Sequence, residues 1–399
     1  MRVRELVIGA VAVACLAACT SGSDAAPRPK PNKPVVRTID PAKAATLKLG
    51  ADLKVVATLP STFHQQDTYF RGFTADGKVL GSVSLPEDPA SGGMDGFSSQ
   101  ASAVLYDLAT KEFTVLDSRR RERNTQIWSI VSSGDFVVWL ESPETTASSS
   151  AVAIYSYDRR SKKVAQLFSA DDPAGIMNGG EDLVVRGDTV YFSRFACCRT
   201  RDRGNAAVHA VPVDGSAPAK VLVKGGKWVT LAADSLTYEV KDKQFSRDLE
   251  TGETKSAPVS PRAKEQGFCG AEFTESFETL CMGEPYNVEG DTFVDDALLT
   301  ITETAGRTTV LQPFPVEADA DSVPRDVLSI GPWIGVTMTD DGGAGRMFLV
   351  DLESRAVKAF PSNTAFDAMN DDKTQALLRI ERTGQRAWPQ VIVQIPPIS

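Results

Sequence analysis

In RFACCRTRDRGN, residues 194 to 205, Cys197 and Cys198 are adjacent and Arg199, Arg201 and Arg203 follow, in a chain of six cysteines and two histidines. Paired thiols beside cations suit a reactive or redox centre, a metal site, or a staple that stiffens a loop. A metal would want further Cys or His at ligand spacing, which this stretch lacks. The histidines offer little else. His209 lies inside the strand-like AAVHAVPV, the setting of a packed imidazole. His64 lies in STFHQQDT between two apolar runs. The chain has no GxSxG elbow, His-rich spacing or phosphate-cradling Gly loop, so neither a metal nor a cofactor is expected.

Cys15 and Cys19 fall in the leader, leaving Cys197, Cys198, Cys269 and Cys281, which allow three pairings. In GFCGAEFTESFETLCMGE a turn centred on Glu275 sets Phe273 opposite Phe277 and Cys269 opposite Cys281. A bridge across that hairpin contributes about 3 kcal/mol on the chain-entropy model. The other two pairings reach across a whole structural unit. Cys197 with Cys198 then forms a vicinal disulfide, a strained staple for which a redox role stays open because strained bridges are more reducible.

The leader sets the compartment. MRVRELVIGAVAVACLAACTSGSD begins with two arginines, and its apolar stretch from Leu6 to Ala18 is shorter than the roughly 20 residues a membrane span needs. This is the pattern of an export signal. Leu16, Ala17, Ala18 and Cys19 resemble the lipobox of bacterial lipoproteins. The resemblance implies diacylglycerol on the Cys19 thiol, cleavage just before it, and anchoring by its acyl chains. Residues 1 to 18 are thus read as signal peptide, 19 to 50 as lipidated cysteine and Pro-rich tether, and 51 to 399 as one folded domain, extracytoplasmic and held at a membrane. The formal charge is -9. Loss of Arg2, Arg4 and Glu5 removes a net +1 and leaves -10 on the mature chain, which argues against nucleic acid as a partner.

The folded part is all-β. Short runs rich in Val, Tyr, Phe and Thr are punctuated by turn residues, and no long stretch keeps helical periodicity. One unit recurs: IWSIVSSGDFVVWLES then AVAIYSYDRRSKKVAQLFS; EDLVVRGDTVYFSRF then AAVHAVPVDGSAPAKVLVKG; DVLSIGPWIGVTMTDD then RMFLVDLESRAVKAFPS. Each reads as strand, tight turn, strand, variable link, strand, a polar turn often opened by Asp, and a last strand. Four antiparallel strands per unit make a β-propeller blade. First turns near Gly77, Gly134, Gly187, Asp234, Glu275, Gly331 and Asp371 lie 40 to 57 residues apart and count seven blades. The last unit has only three strands, and DLKVVATLP, residues 52 to 60, supplies its fourth and closes the ring. Two packed sandwiches are the structural alternative. VVWLES, IYSYDRRSKKVAQL and MFLVDLESRAV resemble the TolB-like propeller repeats of exported bacterial proteins.

The long links fall between second and third strands, on the face where one blade passes to the next, and extended loops on a rigid scaffold carry function. That face is expected to hold a basic sector, Arg119, Arg120, Arg121 and Arg123 with Arg199, Arg201 and Arg203, near the first three blades. Asp291, Asp295, Asp296, Asp319, Asp321, Asp340 and Asp341 make an acidic sector near the fifth and sixth. Tyr286 and Trp388 are candidate stacking anchors on the same face. The resulting expectation is a binding or scaffold module for a partner protein or envelope component. The alternative is a propeller enzyme, a lyase, glycoside hydrolase or cofactor-dependent dehydrogenase, with a carboxylate-based site at the channel mouth.

Overall fold

The computed structural model describes residues 36–40, 43–84, 101–117, 125–142, 152–170, 183–194, 206–232, 235–241, 243–256, 270–273, 277–282, 298–303, 308–311, 323–330, 333–339, 345–380 and 388–396. Among them the strands form seven small sheets, numbered here in the order of their first hairpins. The first is Gln66–Phe73, Val79–Ser84, Ser102–Tyr106 and Phe113–Val115, with Thr62–Phe63 added beside Gln66–Phe73. The second is Gln126–Ser133, Phe136–Ser142, Val152–Asp158 and Lys163–Ala170. The third runs from Leu183–Arg186 to Lys220–Lys224, and the fourth from Gly226–Ala232 to Thr254–Ser256. The fifth and sixth begin at Gly270–Phe273 and Val323–Ile330, and the seventh holds Thr364–Met369, Gln375–Ile380 and Gln390–Gln394.

Within each sheet the strands follow chain order and pair antiparallel, because each turn or link returns the chain beside the strand it has just left. The polar second turns have a common mechanism. In DLATK, DRRSK, DLETG and DLESR the leading Asp (107, 158, 248, 351) accepts the backbone N–H two residues on, at 2.8 to 3.0 Å. The chain then reverses through a left-handed residue, Lys111, Lys162, Gly252 or Arg355. An Asp side chain mimics a backbone turn in this way, so one five-residue signature sets the register between third and fourth strands in four sheets.

In the strands whose burial is described, residues are buried on both faces where a sheet lies between two neighbours. Leu80, Ala103 and Leu105 of the first sheet pack with Ile127, Ile130, Val137 and Trp139 of the second. Val138 and Ile154 of the second pack with Val190 and Phe192 of the third. Val208 of the third meets Val229, Leu236 and Tyr238 of the fourth, and Trp333, Met347 and Leu349 of the sixth meet Ala376, Leu378 and Val393 of the seventh. The seventh in turn packs on the first, through Leu377 and Ile392 against Phe70 and Val79. A surface ion pair adds to the first–second contact. Asp76, in the first sheet's hairpin turn, lies 2.5 Å from Arg159, which holds its carboxyl at about 2, below the usual carboxylate range.

The segment before the first sheet runs past three outer edges. Val36–Ile39 pairs parallel with Thr308–Leu311 of the fifth sheet, and Ala45–Thr46 pairs parallel with Val357–Ala359 of the sixth. Lys54–Thr58 pairs antiparallel with Gln390–Gln394 and is the fourth strand of the seventh sheet. The expected end of the tether at residue 50 is therefore corrected to the neighbourhood of Val36. Ile39 packs with Val336 and Phe348, and Leu47 with Trp333 and Phe360, so this stretch buries apolar groups that a solvated tether would leave in water. Strands of two and four residues added to existing edges have no periodicity of their own to read.

The hairpin of the fifth sheet corrects a second expectation. Phe273 faces Glu278 and Gly270 faces Cys281, one residue out of the register that would set Cys269 opposite Cys281. Because side chains alternate, a slip of one residue moves a strand's set to the other face. On its other side the second strand pairs with the third in the register Cys281 opposite Leu299 and Met282 opposite Leu298. Cys269 lies outside the described residues, as do Cys19, Cys197 and Cys198.

Candidate functional site

The first strands carry a feature that aims side chains. In five sheets the register of the first strand slips by one residue; four of the slips leave Arg71, Trp128, Arg325 or Asp367 opposite no partner, and the fifth falls between Lys227 and Thr230. Such bulges re-aim a side chain out of the strand's alternation and recur beside functional sites. Two of them, Arg71 on Gln66–Phe73 and Asp367 on Thr364–Met369, meet where the first and seventh sheets join.

Tyr69 is the centre of that junction. Its hydroxyl donates to Asp367 Oδ1 at 3.2 Å and accepts from Arg379 Nη1 at 2.9 Å. The Arg71 guanidinium lies over the Tyr69 ring at 4.5 Å and that of Arg379 at 5.4 Å. Arg71 Nη1 also donates to the Trp128 carbonyl of the second sheet at 3.0 Å. Gln390 completes the network. Its Nε2 donates to Asp367 Oδ2 and to the Phe70 carbonyl, both at 2.7 Å, and its Oε1 accepts from the Phe70 N–H at 2.7 Å. A side-chain amide thus pairs with the backbone of the neighbouring sheet as another strand would.

Charge and burial explain the titration of these groups. The Asp367 side chain is 6 % exposed, and burial pushes its carboxyl up against the opposing pull of Arg379, Gln390 and Arg71. Burial, then the Asp367 charge, also raises the Tyr69 hydroxyl, which therefore stays protonated as a donor at neutral pH. Both carboxylate oxygens already accept hydrogen bonds, whereas Arg71 Nε and Arg379 Nε are buried donors without a partner among the described residues. The remaining capacity of the network is to donate.

Close backbone approach sustains this geometry. Gly81, opposite Phe70, has no room for a side chain, since a Cβ there would lie 2.6 Å from the Tyr69 carbonyl oxygen and 2.8 Å from Phe70 Cδ1. Gly81→Ala is expected to displace the very residues that Gln390 and Asp367 hold, lowering stability by about 1–3 kcal/mol. Urea unfolding of the variant measures this, and an unchanged midpoint refutes the close packing.

Of the residues singled out in the sequence, Trp388 enters this site, with Arg379 stacked over its ring at 4.9 Å. The arginines 119, 120, 121, 123, 199, 201 and 203, Tyr286, and the aspartates 291, 295, 296, 319, 321, 340 and 341 lie outside the described residues. His209 is packed as its strand context implies, its ring stacked on Phe192 at 5.0 Å and its protonation disfavoured by burial. His64 sits in a two-residue turn with Gln65, both left-handed at φ 50° and 65°, against the Phe63 ring. Tyr69, Arg71, Asp367, Arg379 and Gln390 were not anticipated. They are scattered over 300 residues of sequence, and the bulges that re-aim two of them leave no mark in composition.

The chain matches no protein-family model and no curated protein. Solved structures are similar in fold. The propeller domain of the Trilobed protease from Pyrococcus furiosus aligns with a TM-score of 0.51 at 9 % identity, over 84 % of this chain and 97 % of that one. An oligogalacturonate lyase in complex with manganese aligns at 0.51 and 11 % identity, over 85 % and 98 % of the two chains. A puromycin-hydrolyzing peptidase of Mycobacterium tuberculosis aligns at 0.52 and 12 % identity, over 88 % of this chain and 54 % of that one. Identities this low speak to fold alone. With face-on packing between the first four sheets in turn and between the sixth, seventh and first, the chain is an all-β protein of the β-propeller fold, built from small antiparallel sheets.

Proposed function

We propose that this chain is a lipid-anchored, extracytoplasmic propeller of seven blades, closed by Lys54–Thr58, that binds a partner protein or envelope component through the face bearing its long links. It performs no chemistry of its own. The observation that carries the reading is the state of Asp367. A general acid or base must be free to exchange a proton with substrate, and this carboxylate has both oxygens committed to Tyr69 and Gln390. Seven described sheets and the pairing of residues 54–58 with 390–394 support the ring. The neighbours include a lyase and a peptidase, so the scaffold itself permits catalysis, and the test must read both outcomes.

Two measurements check the proposal. In a bacterial host the full chain should fractionate with membranes and Cys19→Ser with the soluble extracytoplasmic fraction, since two acyl chains anchor stably where none does. Equal distribution of the two forms removes the anchor. Affinity capture from detergent-solubilised envelope should recover a partner, and that partner should be lost when Arg119, Arg120, Arg121 and Arg123 are replaced by Gln. Turnover of a substrate that disappears in Asp291→Asn or Asp340→Asn, with no partner recovered, overturns the binding role.

A further inference from the structure

We propose that Arg71 and Arg379 seat a carboxylate-bearing monoanion at the junction of the first and seventh sheets. The inference rests on the binding reading above and deepens it by naming the chemical group bound.

Five buried side-chain atoms lack a partner among the described residues, and four of them are nitrogen donors: Arg71 Nε, Gln126 Nε2, Trp128 Nε1 and Arg379 Nε. Trp128 turns its ring toward the core between the second and third sheets. The two arginine atoms belong to one network, because both guanidinium groups lie over the Tyr69 ring. An unpaired buried donor is costly, and two on like-charged groups sharing one ring call for an acceptor that carries negative charge.

The count of charges selects a monoanion. Arginine stays protonated under all ordinary conditions, so the network holds two fixed cations against the single carboxylate of Asp367. One further negative charge balances it, and a dianion overshoots. The free atoms select a planar ligand. Arg71 uses Nη1 on the Trp128 carbonyl, which leaves its Nε and Nη2 edge as a two-donor fork that fits both oxygens of a carboxylate. Arg379 uses Nη1 on Tyr69 and Nη2 toward Asp367 at 3.7 Å, and retains Nε. Its side chain is 20 % exposed and Arg71 is partly exposed, so neither side chain is sealed from solvent although each Nε lies beneath the surface. Bulging turns Arg71 out of its strand's alternation, as expected of a residue aimed at a ligand rather than at the core.

The test uses the mature chain and three small probes at constant ionic strength: acetate, inorganic phosphate and the uncharged analogue acetamide. The Trp388 ring stacks on Arg379, so intrinsic fluorescence reports binding. Acetate should give a saturable change with Kd on the order of 1 mM, phosphate a several-fold weaker one, and acetamide none. Arg71→Lys, which keeps the charge and loses the fork, should weaken acetate about tenfold, and Arg71→Gln should abolish the response. Should the Gln variant fail to melt cooperatively, the Lys variant decides. No saturable response in the unaltered chain, or an equal response in Arg71→Lys, overturns the seat, and phosphate binding as tightly as acetate overturns its assignment to carboxylates. Partner capture is read separately. An absent acetate response beside intact capture overturns the seat alone, whereas a saturable response with no partner captured overturns the binding role and leaves the seat standing.

Discussion

A chain cut back to residue 60 should lose its cooperative thermal transition or aggregate, while one cut back to residue 36 should melt within about 2 °C of the full-length chain. The shorter form lacks Lys54–Thr58, so Gln390–Gln394 becomes a bare edge whose residues Val391, Ile392 and Val393 are buried. An unpaired apolar edge strand is a template for pairing with other chains. Leu47, Leu53 and Leu59, all at least 94 % buried, also leave the clusters that join the sixth, seventh and first sheets. Each such loss costs about 2–5 kcal/mol, against a total stability of about 5–15 kcal/mol for a typical domain. A form starting at residue 50 keeps Lys54–Thr58 and loses the two short parallel strands, and it should fall between these limits. Circular dichroism melts with size-exclusion chromatography read all three. Equal melting of the forms starting at 36 and 60 removes any structural role for the segment.

Gln390→Leu should destabilise by about 3–5 kcal/mol, far more than its loss of a single amide suggests. The substitution strands three groups together: the Phe70 N–H, the Phe70 carbonyl and Asp367 Oδ2. Leucine fills comparable volume, so the loss is one of hydrogen bonding and not of packing. Asp367→Asn in the same background should recover part of it, because an uncharged amide is cheaper to leave without Gln390 than a buried carboxylate. A double-mutant cycle in urea isolates that coupling. Additive effects of the two substitutions would mean that the amide and the carboxylate do not share the bond.

Much of the architecture is legible in the chain because it arises from local chemistry repeated. The Asp-led turns at 107, 158, 248 and 351 draw on the side chain's own reach to the backbone. The left-handed glycines Gly77, Gly134 and Gly187 stand where the repeat places its first hairpins. The shortfall of one strand in the last unit points to the pairing of residues 54–58 with 390–394. The hairpin at 270–282 lies one residue from the register that symmetry about Glu275 predicts, because composition at a turn does not fix how many residues the turn takes up.

Composition and periodicity determine that this chain is built of short antiparallel strands, because alternation and turn residues act over a few positions. Which polar groups converge is another matter. Tyr69 and Asp367 are 298 residues apart and meet because the seventh sheet packs on the first. Their strands bulge there, and no local pattern encodes which residue a bulge will release. Assembly of the sheets alone creates the Arg71, Arg379 and Asp367 cluster, since the energy of a buried charge depends on the neighbours that exclude water from it and not on its place along the chain.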